Sequence, residues 1–75
     1  MTTQIETPAN ANGQTAKDLR MIARDVLMLA QKFDRHDPAK ATNIRSEAET
    51  VLLEALRLDK AEAAQWAAVA GVVRV

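Results

Sequence analysis

The chain of 75 residues has no cysteine, only two aromatic residues, no excess of charge of either sign and no long apolar run. Without cysteine, no disulfide can staple the fold and no thiolate can hold a metal. Ten basic and ten acidic residues cancel, so the basic excess that carries most nucleic-acid binding is missing, and no nucleic-acid partner is expected. The longest apolar stretch, Ala63 to Val73, is broken by Gln65 and too short to cross a bilayer, so no membrane partner is expected. Residues 1–14 show no basic region followed by an apolar run, the mark of a secretory signal, and a cytoplasmic protein is expected.

What is present is apolar and helix-forming. The hydrophobic fraction is 48%, but much of it is alanine, which favours helix while burying little area per residue. A chain this short sits near the lower limit for a single core, so a thin alanine-rich interior points to self-association. Residues 1–14 are rich in Thr, Asn and Gln, with Pro8 and Gly13 as breakers and Ile5 as the one large apolar anchor besides Met1. They are expected to form a flexible tail, with residues 15–75 as a single helical domain.

The first helix is expected near 16–33. Thr15 and Asp18 have the spacing of a capping box. Behind them Leu19, Ile22, Val26, Leu29 and Phe33 recur three and four apart, the spacing of one helical face. Ala23 and Ala30 widen that face. Asp37-Pro38 should restart a helix, because aspartate suits an N-cap and proline the first helical position. The short link favours an antiparallel pair. A second helix near 38–58 carries Ile44, Ala48, Val51, Ala55 and Leu58 in the same rhythm, with a break near Arg45 as the alternative. Asp59-Lys60-Ala61-Glu62 resembles a further N-cap, so a third helix is expected near 60–72. The fold class is then all-α: a small three-helix bundle, or a helical hairpin plus a third helix, completed by self-association. Its core would hold Leu19, Ile22, Val26, Leu29, Phe33, Ile44, Val51, Leu52, Leu58, Trp66 and Val69.

One stretch resembles a known family. Ala55-Leu56-Arg57-Leu58-Asp59, followed by Ala63 and Trp66, is similar to the junction between tetratricopeptide-repeat units, with Lys60 where that family usually has proline. Stacked repeats need about three units for stability, which this chain cannot hold. The resemblance therefore implies a helix–turn–helix corner at Asp59 and nothing more.

Catalytic and metal-binding patterns are weak. His36 is the only histidine, and with Asp34 and Asp37 beside it reads as a solvated turn next to an N-cap. Glu47, Glu49, Glu54 and Glu62 lack the Glu-x-x-His partners of a carboxylate metal site. No nucleophile–base set, glycine-rich phosphate loop or zinc spacing occurs, so neither enzyme activity, a cofactor nor a metal is expected. The best candidate for function is the opposite side of the first helix. Met21 and Met28 lie seven apart there, with Arg24 and Lys32 at their border. Methionine adapts its shape and is over-used at binding surfaces. These residues suggest a small non-catalytic protein-interaction module, an adaptor or inhibitor; small, cysteine-free, helix-only proteins of this kind are common among bacterial and phage regulatory factors, so that type is expected on class alone. The alternatives are a self-assembling structural protein, with a homodimer as the expected state, and a nucleic-acid-binding regulator using Arg20, Arg24, Lys40 and Arg45.

Overall fold

A computed structural model describes residues 6–73, and these form two α-helices, α1 (Ala16–Phe33) and α2 (Pro38–Val73), folded back on each other as an antiparallel hairpin. The expected tail overlaps this range only from residue 6, and its anchor Ile5 lies outside the described residues. Residues 9–15 close into a turn around Asn10. The Asn10 side-chain oxygen accepts from the backbone N–H groups of Asn12 and Gln14, at 3.0 and 2.9 Å, and its amide donates to the Gln14 side chain. Gly13 takes the left-handed conformation, φ +76°, that lets this turn close without a Cβ penalty.

α1 starts where its cap dictates. The Thr15 hydroxyl accepts from the Asp18 backbone N–H at 3.3 Å, and the Asp18 carboxylate accepts from that of Thr15 at 3.1 Å. Two otherwise unsatisfied donors are thereby paired. Thr15→Ala should lower stability by about 1 kcal/mol in a thermal or urea melt, the usual loss for such a cap. After α1 the backbone N–H of Asp37 returns to the Phe33 carbonyl at 2.8 Å, and the Asp37 carboxylate caps Lys40 at 3.1 Å. Pro38 then begins α2. The Lys40 ammonium sits 4.4 Å above the centre of the Phe33 ring, closing the link against the end of α1.

The helices meet along two seams of the same design. α1 contributes Ala16, Leu19, Ala23, Val26, Ala30 and Phe33, and α2 contributes Ala41, Ile44, Ala48, Val51, Ala55 and Leu58. In each, alanine recurs every seventh residue and a larger side chain fills the step between, the spacing of a coiled-coil seam. Ala30 and Ala48 are fully buried, and Ala23, Ala41 and Ala55 nearly so. Ala16 and Leu19 cluster with Ala55 and Leu58, with Val51 packed beside them, so each leucine has an alanine of the facing helix as neighbour. Small residues at the contact bring two helix backbones close together.

Two ion pairs flank this seam. Arg20 donates to Asp59 at 2.8 Å, and Arg45 grips both carboxylate oxygens of Asp34 at 2.6 and 2.7 Å. They are symmetric because the helices repeat one pattern 25 positions apart. Ala16, Leu19, Arg20, Ala23, Val26, Leu27, Ala30, Phe33 and Asp34 return as Ala41, Ile44, Arg45, Ala48, Val51, Leu52, Ala55, Leu58 and Asp59. The arginine of each unit therefore meets the aspartate of the other.

Three expectations are corrected. The separate third helix and the corner at Asp59 are not formed: α2 runs unbroken through Asp59 and Lys60, as it does through Arg45. Asp34 ends its helix because Pro38 lies shortly beyond it, whereas Asp59 is followed by Lys-Ala-Glu-Ala, all helix-compatible, and its carboxylate is used by Arg20 instead of capping. The seam of α1 is also rotated. Leu19, Val26 and Phe33 lie on it, but Ile22 and Leu29 are 36% and 45% exposed on its flank, and Ala23 and Ala30 take their places. The third correction concerns α2, where Leu52 and Trp66 are exposed rather than core. Ile44 and Leu58 are buried, and Val51 and Val69 half-buried. A single facing helix covers one narrow stripe, and a second layer would be needed to enclose the rest.

The last turns of α2 extend past the start of α1. With that extension the molecule measures 60 × 19 × 16 Å and has a radius of gyration of 17.1 Å. A compact domain of this length would have about 11 Å.

Candidate interaction surface

Among the described residues, three exposed surfaces group large apolar side chains. On the outer side of α1, away from the seam, Met21 and Met28 are 54% and 56% exposed, with Arg24 and Lys32 also exposed. Seven residues are close to two helical turns, which puts both methionines on one line. Met28 and Lys32 share a surface depression with Asp25, Leu29 and Gln31. Met21 and Arg24 lie further toward the start of the helix, and the Arg24 guanidinium reaches Asp25 at 4.0 Å. Helix geometry thus brings all four sequence candidates to one side of α1, and neither α1 nor α2 covers them.

The second surface is the groove between the helices on the ion-pair side. Leu27 and Leu52, equivalent in the two units, line it together with Thr42, Arg45, Ser46, Ala48 and Glu49. The third lies on α2 alone, where Leu52, Leu53 and Leu56 stand exposed beside Glu49. Read from the sequence, Leu52 belongs to the core and Leu53 and Leu56 wrap toward the other side of the helix; all three are exposed. Their signal is a second apolar stripe on α2, offset from the first.

Outside these surfaces Ile22 and Trp66 are also exposed, and the polar side chains are chemically quiet. Among the described residues no polar or charged side chain is buried, and no three His, Asp or Glu side chains converge as metal ligands. His36 is exposed in the link, and Glu54 pairs with Arg57 one turn along α2. Among the described residues no helix is long and apolar enough to cross a membrane. Such a molecule can present apolar area bordered by charge. Comparison with family models, with curated proteins and with solved structures finds no match to this chain.

Proposed function

We propose that this is a small, non-catalytic, cytoplasmic protein-interaction module that occupies a surface on another protein through its apolar helix faces. The observation that carries this reading is the inversion of side-chain size among the described residues: of the nine that are buried six are alanine, while nine large apolar residues are exposed. Exposed apolar area of that kind marks contact with another macromolecule. The outer face of α1, with Met21 and Met28 rimmed by Arg24 and Lys32, is the surface for the foreign partner. A nucleic-acid role is disfavoured because Arg20 and Arg45, two of the cations it would use, are each held by an aspartate.

Met28→Glu tests the reading by placing a charge in the middle of that face. In affinity capture from the source cell extract, the wild-type chain should retain a specific protein that the variant loses. Far-UV circular dichroism should show the helices unchanged, since Met28 is exposed. Equal capture by both chains would overturn the assignment of this face.

A second reading, self-assembly, is supported by the surface of α2 and by the shape of the hairpin.

A further inference from the structure

We infer that α2 is a second-copy docking helix: two chains pair antiparallel along their α2 helices, with the two-fold axis between Glu54 and Ala55. This goes beyond the foreign-partner reading, because it uses a different helix and leaves the methionine face of α1 on the outside of the pair.

A stripe on α2, whose Thr42, Ser46 and Glu49 also edge the groove beside Leu27, runs Pro38, Thr42, Ser46, Glu49, Leu53, Leu56, Lys60, Ala63, Ala67 and Gly71, and every one of these residues is exposed. Their spacing is three and four throughout, so they form one continuous face of the helix. That spacing is also the same read forwards or backwards from its centre. An antiparallel copy turned about that centre sets each stripe residue level with another stripe residue. Leu53 meets Leu56 of the second copy, giving four leucines at the middle of the contact. Glu49 comes level with Lys60 on both sides of them, so two opposite-charge pairs bracket the apolar centre. Further out, Ser46 and Thr42 meet Ala63 and Ala67, side chains small enough for the helices to approach closely.

Two further observations fit this occupant. α2 is 36 residues long, and its midpoint lies within a residue of the proposed axis, so the two helices overlap along their whole length. The extension of α2 that α1 cannot reach would then lie on the first half of the other α2. Gly71 is a helical glycine around which a Cβ would meet nothing within 4 Å, so packing inside the chain does not require it, although glycine weakens a helix. In the pair, Gly71 comes level with the start of the other α2, where close approach favours it.

Sedimentation equilibrium on the full chain tests the pairing. The wild type should be a dimer at micromolar concentration, and Leu53→Glu should be monomeric. Because loss of the pair could also loosen the hairpin, the exposed charges provide a second test. Glu49→Lys and Lys60→Glu should each weaken dimerisation about tenfold, since each creates two like-charge contacts per dimer. The double variant, or an equimolar mixture of the two single variants, should restore it. A wild-type monomer would overturn the inference, as would a dimer insensitive to both charge reversals. In either case the Met28→Glu capture result stands on its own, so failure of this pairing is distinguishable from failure of the α1 surface.

Discussion

Replacing Ala30 and Ala48 together by leucine should unfold the hairpin. Both alanines are fully buried on the seam between the two helices. Three extra carbons at each have no cavity to enter, so the helices must separate or the side chains must leave their rotamers. Overpacking of this kind costs about 1–3 kcal/mol per site. A domain below 70–80 residues draws roughly 3–5 kcal/mol in total from one core. Two such sites therefore match the whole stability. Circular dichroism should show loss of helix at room temperature, and each single variant should melt early. A double variant that melts with the wild type would mean that the helices do not meet on their alanines.

The next largest effect is expected at Leu58, a nearly buried side chain packed with Ala16, Leu19 and Ala55. Leu58→Ala should cost about 2–5 kcal/mol, because the cavity cannot close without moving a helix. Leu29→Ala provides the contrast. By size and spacing Leu29 belongs with the core, yet it is 45% exposed on the flank. Its truncation should cost less than about 1 kcal/mol. Equal losses at the two positions in urea titrations would show that the seam on α1 runs through Ile22 and Leu29 after all.

That contrast marks the limit of what the sequence made legible. The ends of α1 and the start of α2 were readable because local chemistry sets them: Thr15 with Asp18, and Asp37 with Pro38, act within a few residues of themselves. The seam of α2 was readable too, since its alanines and larger residues fall on one line. On α1 two lines compete, and side-chain size favours the one with Ile22 and Leu29. The choice is made by the facing helix, whose alanines favour close approach, and that is a property of the pair. Asp59 was misread for a related reason. An aspartate after a leucine can cap a new helix or pair with a distant arginine, and only the position of Arg20 decides between them. The repeat that relates Asp59 to Asp34 has a 25-residue period, while the local resemblance at Asp59 directs attention to a different spacing. Of the candidate surface, the residues on the methionine face were legible from periodicity. Their exposure was not, because it depends on the absence of a third helix folded back over α1.

The seven-residue rhythm of the seam has a cost of its own, which is degeneracy. Sliding α2 along α1 by one heptad, about 10 Å, would again place alanines against larger side chains, so apolar packing alone distinguishes the two alignments poorly. The pairs Arg20–Asp59 and Asp34–Arg45 distinguish them sharply, because a slide breaks both at once and offers neither arginine an equivalent aspartate. The link of four residues between the helices resists the same slide mechanically. Half-exposed pairs of this type contribute little to stability. Their value here lies in alignment: they make one of several nearly equivalent zippers the native one.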